Sequence, residues 1–254
     1  MPIVILIILK GDPILLACLL ALLTAIGMTE FYNMALPKRK MEQWQAALAG
    51  TALIFTPFLG SDKLIFSAIG FLFIVFSLLF LFRVNTIETA AQEVAFALLA
   101  ILYIPFFLMH LVLLRLTPFG VQWLFVIMLI VMTNDTAAYY TGSAFGKRRL
   151  YPLVSPKKSV EGAIGGLFGS LGGTMLAKFT FFPQLTFADA VVTAIVIGMV
   201  GQAGDLFESM LKRSFGVKDS GTLIPGHGGV LDRMDSILFA APVTYYYVLI
   251  FFKG

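Results

Sequence analysis

The sequence predicts an all-α, polytopic integral membrane protein: a bundle of eight transmembrane helices, with a ninth possible at the N-terminus. Of its 254 residues, 59% are hydrophobic and only 13% are charged, and the mean hydropathy is +0.93. These values lie far outside the range of soluble globular domains. The chain also contains a series of apolar runs, and roughly 20 apolar residues are enough to cross ~30 Å of hydrocarbon. We therefore expect one membrane-embedded domain, 1–254.

Short connections separate the apolar runs, which lie at 14–36, 44–60, 64–82, 94–115, 121–141, 160–180, 187–210 and 236–252. The opening run is too short to span a membrane alone, so residues 1–12 leave the ninth helix open. We expect no cleavable signal peptide, because no basic start or small-residue cleavage site frames this run. The bundle divides into N-terminal spans, 1–125, and a C-terminal half, 126–254, to which we assign catalysis.

The basic residues predict the orientation of the spans. Most of the 18 Lys and Arg residues fall in four loops on one side of the membrane: 37–43, 83–93, 142–159 and 211–235. The positive-inside rule makes that side cytoplasmic. We therefore expect a multi-pass protein of the cell inner (cytoplasmic) membrane, with loops 142–159 and 211–235 in the cytoplasm. Basic loops near anionic head groups explain the net charge of +4 without a nucleic-acid partner.

The densest group of charges surrounds the second long loop. Four polar side chains precede it at helical spacing and share one face: Asp205, Glu208, Ser209 and Lys212. Asp232 and Asp235 open the last span, where a helix N-terminus favours carboxylates and attracts phosphate. A hairpin of about 20 residues would bring the two helix ends together. Carboxylates that hold a hard cation, beside bases that hold phosphate, indicate a metal-dependent nucleotide or phosphate enzyme.

The loop itself has the composition of a phosphate-binding segment. Its glycines allow backbone N–H groups to approach an anion, and four basic residues supply positive charge: Lys212, Arg213, Lys218 and Arg233. Mg²⁺ prefers one or two carboxylates together with phosphate oxygens, which Asp205 and Asp232 would satisfy. The alternative is a salt-bridged loop that only sets topology. Topology requires basic residues, however, and not interleaved aspartates, a histidine and glycines.

Two segments resemble the phosphatidate cytidylyltransferase (CDP-diacylglycerol synthase) family. The first contains SMLKR from Ser209, KD at Lys218 and PGHGGVLDRMD from Pro225 to Asp235. The second contains NDTAAYY from Asn134, GK at Gly146 and SPKKSVEG from Ser155. Together they cover the chain from about residue 130. The N-terminal half matches only in its hydrophobic spans, with EFY at Glu30, and it lacks the fuller first helix that is usual in the family.

The resemblance implies that CTP and phosphatidate react to give CDP-diacylglycerol and pyrophosphate, with magnesium required and a second cation possible. It also suggests a homodimer. We expect Asp205 and Asp232 to bind the metal, Asp219 and Asp235 to act as further ligands or to orient them, and the four basic residues to hold phosphates. His227 would bind phosphate or assist the leaving group, or alternatively brace the turn. The expected substrate-binding residues are Asn134, Asp135, Ser155, Lys157, Lys158, Glu161, Ser209, Gly228 and Gly229.

Several alternatives stay open at this point. Asp135, inside a predicted span, contacts substrate or pairs with a base such as Lys157. A CTP-dependent lipid kinase acting on a polyprenol-type alcohol would share the nucleotide chemistry but would need a general base for a hydroxyl. A transporter would explain many spans, although transporters generally carry paired repeats and charges at mid-membrane. The glycine run from Gly165 to Gly173 indicates close helix packing.

Overall fold

Every predicted span corresponds to a helix in the computed structural model, which describes residues 2–223 and 228–254. The ten α-helices of this part of the chain are α1 (Pro2–Lys10), α2 (Pro13–Ala35), α3 (Lys40–Ile54), α4 (Asp62–Phe82), α5 (Ile87–Tyr103), α6 (Pro105–Arg115), α7 (Gly120–Phe145), α8 (Val160–Thr180), α9 (Phe187–Ser214) and α10 (Asp235–Ile250). A two-stranded antiparallel hairpin, β1 (Arg149–Tyr151) and β2 (Ser155–Ser159), lies between α7 and α8.

Five helical stretches in the described residues are long and apolar enough to cross a membrane. They are Pro13–Ala35, Lys63–Phe82, Ile87–Arg115, Gly120–Phe145 and Phe187–Ser214. The all-α membrane class is confirmed, whereas the count of eight or nine spans is not. Helices α3 and α10 have only 15 and 16 residues, and α1 has nine, which is about 14 Å of helix. The predicted ninth span is therefore a short helix.

The chain forms two compact units. The first contains Met1–Leu113 and Asp219–Arg233, and the second contains Leu114–Lys218 and Met234–Gly254. The boundary between the two units lies between Leu113 and Leu114, whereas we predicted a boundary after residue 125. The 219–233 segment belongs to the same unit as the N-terminal helices. In the first unit α2 packs on α3 and α5, α4 packs on α5, and the 3-10 turn Leu231–Arg233 contacts α2.

A buried ion-pair group connects the start of α3 to α5 in the first unit. The Arg39 guanidinium lies 2.5 Å from Glu93 Oε2, donates to the Arg83 carbonyl at 2.7 Å and lies 3.5 Å from Glu42 Oε1. The Arg83 guanidinium lies 3.5 Å from the same Glu42 oxygen. Since the Arg39 side chain is only 6% exposed, its charge depends on these partners.

The second unit is organised by close packing of α7 against α8, with α9 packed on α8 and α10. A Cβ atom at Gly169 would lie 2.4 Å from the Thr133 carbonyl oxygen, and one at Gly165 would lie 2.1 Å from Thr141 Oγ1. The same holds at Gly166 and Gly173, where a Cβ would lie 2.7 Å from Asn134 Oδ1 and 2.6 Å from Thr133 Oγ1. At Gly172 a Cβ would meet no atom within 4 Å. The prediction of close glycine packing is therefore confirmed at four of the five glycines and does not extend to Gly172.

Candidate active site

The second unit contains a cavity of about 570 Å³ whose lining is rich in predicted site residues. Five of them line it: Asn134, Asp135, Lys157, Lys158 and Asp205. Helix α7 supplies the first two, strand β2 supplies the lysines and α9 supplies Asp205. Lys158 and Asp205 therefore line one cavity although about 50 residues of sequence separate them. We name this site the aspartate–lysine cavity.

An ion pair joins the two sides of the aspartate–lysine cavity. The Lys158 ammonium pairs with Asp205 Oδ2, and Ser209 Oγ donates to Asp205 Oδ1 at 3.4 Å. The side chains of Lys158 and Asp205 are 31% and 29% exposed. At that exposure the pair adds little to stability and stays open to exchange with a ligand.

A third carboxylate, that of Asp235, interacts with the aspartates of this cavity. Asp235 is the first residue of α10, as predicted, and lies outside the five candidate spans. Burial, followed by the charge of Asp205, raises the pKa of Asp235 to about 7, and Asp135 adds to the effect while Lys158 opposes it. Within residues 2–223 and 228–254, however, no three His, Cys, Asp or Glu side chains form a ready-made metal cage. A cation here would complete its shell with phosphate oxygens or water.

A buried amide network supports the base of the aspartate–lysine cavity. Asn134 Nδ2 donates to Ser170 Oγ at 2.9 Å, and Gln202 Nε2 donates to Asn134 Oδ1 at 3.0 Å and to the Ala163 carbonyl at 3.0 Å. The sequence analysis missed Gln202, which also lines the cavity. The sequence feature that could have identified Gln202 is an amide within an apolar run. It lies three residues before Asp205, and this spacing places the two residues on one helical face.

The loop predicted at 142–159 is instead the end of α7 followed by the β1–β2 hairpin. Glu161, in the first turn of α8, accepts hydrogen bonds from the backbone N–H groups of Lys147 at 3.1 Å and Arg148 at 3.2 Å. Its own N–H, then those of Arg148 and Lys147, lower the pKa of Glu161. Glu161 braces the hairpin that carries the two lysines. Neither Glu161 nor Ser155, which pairs with Tyr151 in the hairpin, is among the cavity-lining residues.

The predicted basic residues at the end of α9 have protein contacts. Lys212 Nζ lies 2.9 Å from Glu208 Oε2, whose side chain is buried. Arg213 and Lys218 are exposed, and Arg213 donates to the Val217 carbonyl at 3.3 Å. The shared helical face predicted for this stretch is confirmed by the Ser209–Asp205 and Lys212–Glu208 contacts. A phosphate-binding role for these bases stays a prediction.

In the first unit, Asp232 organises the 219–233 segment. Its Oδ2 atom accepts hydrogen bonds from the Ser220 N–H at 2.9 Å, from Ser220 Oγ at 3.0 Å and from the Gly229 N–H at 2.7 Å. Gly228 has a φ of +83°, and a Cβ there would lie 2.6 Å from the same carboxylate oxygen. Glycine is therefore required at this position.

The same segment contains a carboxylate that the sequence analysis did not assign to the site, Glu30 of α2. It is 6% exposed and accepts from the Val230 N–H at 2.9 Å, the Leu231 N–H at 2.8 Å and Ser220 Oγ at 3.1 Å. We noted Glu30 only for its resemblance to the family. A carboxylate within an apolar helix is itself a signal of function or of a specific partner.

Three further predicted residues belong to this stretch of sequence: Asp219, His227 and Arg233. Asp219 and Arg233 are exposed. His227 lies outside the described residues. Asp205 belongs to the second unit and Asp232 to the first, and their sharing of one cation stays a prediction.

Comparison with known proteins places these features in a family. The profile of the cytidylyltransferase family matches residues 1–251. The chain is 37% identical over 161 residues to a phosphatidate cytidylyltransferase of Bacillus subtilis (strain 168), a match that covers 63% of this chain and 60% of the relative. It is 40% identical over 152 residues to one of Staphylococcus saprophyticus, covering 60% and 58%, and 43% identical over 124 residues to one of Staphylococcus aureus (strain COL), covering 49% and 48%. The chain thus matches about 60% or less of the length of these relatives. Since the family profile covers nearly all residues of this chain, the chain belongs to the cytidylyltransferase family.

Proposed function

We propose that the protein transfers the cytidylyl group of CTP to phosphatidate, giving CDP-diacylglycerol and pyrophosphate. The observation that carries the proposal is the aspartate–lysine cavity, where Lys157 and Lys158 face Asp135 and Asp205 within about 570 Å³. Ammonium groups attract phosphate oxygens, while carboxylates attract the cation that accompanies a nucleotide triphosphate. The cytidylyltransferase names of the relatives support the same assignment.

The chemistry requires positioning more than a protein nucleophile. A phosphate oxygen of phosphatidate would attack the α-phosphorus of CTP, and the bond to the bridging oxygen of the β-phosphate would break. The electron pair would leave with pyrophosphate. Lys158 is the residue best placed to hold a phosphate oxygen, because its partner Asp205 is partly exposed and their pair is open to exchange. Holding two polyanions in line and offsetting their charge are the main tasks.

We propose magnesium as the cofactor, with Asp205 and Asp232 as its protein ligands. The oxygen-rich donor set fits a hard cation, and Mg²⁺ commonly takes only one or two carboxylates. When bound, the cation would offset the negative charge of the triphosphate. A second cation is compatible with the three carboxylates near the aspartate–lysine cavity.

The proposal includes location and assembly. We place the reaction at the cytoplasmic face of the inner membrane, because the basic residues cluster in loops on one side of the spans. The lipid substrate would then enter from the bilayer and CTP from the cytoplasm. A homodimer is proposed from the family resemblance.

The test uses purified full-length protein in lipid nanodiscs with phosphatidate, Mg²⁺ and CTP labelled at either the α- or the γ-phosphate. We expect the α-label to appear in a CDP-lipid and the γ-label in pyrophosphate. Transfer of the γ-label to lipid would instead indicate a lipid kinase. Retention of both labels in CTP, across a magnesium titration, would reject the proposal. A Lys40→Ala variant, altered at an exposed residue of the first unit, serves as the control with unchanged turnover.

A further inference from the structure

We propose that Glu30 is a positioning residue for the reaction, holding the 219–233 segment so that Asp232 and Arg233 are presented in one geometry. This inference rests on the proposed function, because it assumes that the segment takes part in catalysis. Glu30 lies in the N-terminal helix α2, far in sequence from the rest of the site. Its role follows from three features of the first unit: the hydrogen bonds of Glu30, the link through Ser220 to Asp232, and close contacts with glycines.

The hydrogen bonds show that the Glu30 carboxylate binds groups near both ends of the segment. Both of its carboxylate oxygens are used: Oε1 accepts from Val230 N–H, and Oε2 accepts from Leu231 N–H and Ser220 Oγ. These donors lie near the two ends of the segment, at Ser220 and at Val230 and Leu231. Bonds to an ionised acceptor are roughly twice as strong as neutral ones. Glu30 therefore joins the two ends of the segment to a rigid helix.

Ser220 links Glu30 to Asp232. Its hydroxyl lies 3.1 Å from Glu30 Oε2 and 3.0 Å from Asp232 Oδ2, while its N–H donates to Asp232. A hydroxyl has one proton, so it donates to one carboxylate at a time. Loss of the Glu30 acceptor would leave that proton to Asp232 alone and would release two backbone N–H groups. The position and the charge environment of Asp232 would both change.

The glycines of the segment are required for the approach of Glu30. A Cβ at Gly221 would lie 2.6 Å from Glu30 Oε1, and one at Gly229 would lie 2.6 Å from Glu30 Oε2 and 2.1 Å from Ser220 Oγ. Real Cβ atoms do not come this close. Two glycines that we predicted to approach a phosphate thus also admit a protein carboxylate. Because side chains at these two positions would exclude Glu30, the contact indicates a specific structural role for this carboxylate.

The experiment compares Glu30→Gln with Glu42→Gln in full-length protein. Glutamine keeps the shape of the side chain but presents an NH₂ group to a backbone N–H donor. Glu42 is the matched control, because it is about equally buried, at 5% exposure against 6%, and it forms ion pairs with Arg39 and Arg83, which lie outside the segment. An exposed Glu88→Gln variant controls for the substitution itself.

We expect Glu30→Gln to lower kcat by about 10- to 100-fold, because a ~1 Å misplacement of a reacting group can cost 10²-fold. Backbone hydrogen exchange should become faster at residues 229–232 in this variant and not in Glu42→Gln. Glu30→Asp, which keeps the charge on a shorter side chain, should recover part of the turnover. Equal losses of turnover in Glu30→Gln and Glu42→Gln, with unchanged exchange at 229–232, would overturn the positioning role.

The outcomes separate this inference from the proposed function. Faster exchange at 229–232 in Glu30→Gln, together with a wild-type protein that forms no CDP-lipid, would reject the function and keep the structural anchor. A wild-type protein that forms CDP-lipid, with a Glu30→Gln variant of normal kcat, would reject the inference and keep the function. Wild-type turnover with a selective kcat loss in Glu30→Gln supports both.

Discussion

Replacing Asp205 by asparagine removes a charge from the aspartate–lysine cavity with almost no change of side-chain size. The ion pair with Lys158 is lost, and the hydrogen bond from Ser209 is weakened. Because both charged side chains are about 30% exposed, the pair should contribute only about 0.2–1 kcal/mol to stability. Removing a group that stabilises charge in a transition state costs about 10²- to 10³-fold in turnover. Asp205→Asn should therefore lose activity while its thermal midpoint changes little.

Asp189 offers a matched aspartate at the opposite end of the same helix. It forms the capping box of α9 with Thr186. The Asp189 carboxylate accepts hydrogen bonds from the Thr186 N–H at 3.0 Å and from the Tyr247 hydroxyl at 2.5 Å. Asparagine keeps one acceptor oxygen but removes a negative charge near the N-terminus of α9, which is worth about 0.3–1 kcal/mol. Asp189→Asn should therefore lower the thermal midpoint and leave kcat near the wild-type value.

Both variants should be measured in nanodiscs for label transfer from α-labelled CTP and for unfolding by heat. The expected pattern is a double dissociation: turnover falls in Asp205→Asn, and stability falls in Asp189→Asn. The reasoning fails if Asp205→Asn retains full turnover throughout a magnesium titration. It fails equally if Asp205→Asn unfolds as readily as Asp189→Asn, since its inactivity would then reflect a lost fold.

Two further predictions concern packing and buried charge. Gly169→Ala should lower the thermal midpoint, because its Cβ would lie 2.4 Å from the Thr133 carbonyl oxygen. The control variant, Gly172→Ala, places its Cβ within 4 Å of no atom and should be neutral or stabilising. Equal midpoints for the two variants would contradict the close approach of α7 and α8. Arg39→Ala should destabilise the first unit by about 1–3 kcal/mol, because it leaves the partly buried Glu93 carboxylate without its 2.5 Å partner. Chemical denaturation of the wild-type protein and of Arg39→Ala measures this change in the free energy of unfolding. A loss below about 1 kcal/mol would show that the ion pair is dispensable.

The helices could be predicted from sequence because hydropathy is a local property. Each apolar run is helical, although the run at 94–115 covers the end of α5 and all of α6. Helices α7, α8 and α10 begin within one residue of the predicted starts at 121, 160 and 236. The number of spans could not be obtained in the same way. Helix α3 ends at Ile54, and Pro57 lies in the 3-10 turn that follows, so a run that we predicted to extend to residue 60 has a 15-residue helix.

The hairpin at 149–159 escaped prediction for a different reason. Its strands have three and five residues, and Lys157 and Lys158 do not follow an alternation of apolar and polar side chains. What holds it is the contact of Glu161 with backbone N–H groups 13 and 14 residues earlier. Short polar strands carry little periodic signal.

By itself the sequence determined the membrane class and predicted five of the residues that line the aspartate–lysine cavity, because composition, charge and motif are properties of the residues themselves. Only the tertiary structure decided which of them meet. It paired Lys158 with Asp205, inserted Gln202 beside Asn134 and joined Glu30 to backbone groups about 200 residues away. Hydrogen bonds and ion pairs over such separations form when packing brings the groups within about 3 Å, and no local pattern of residues records that approach.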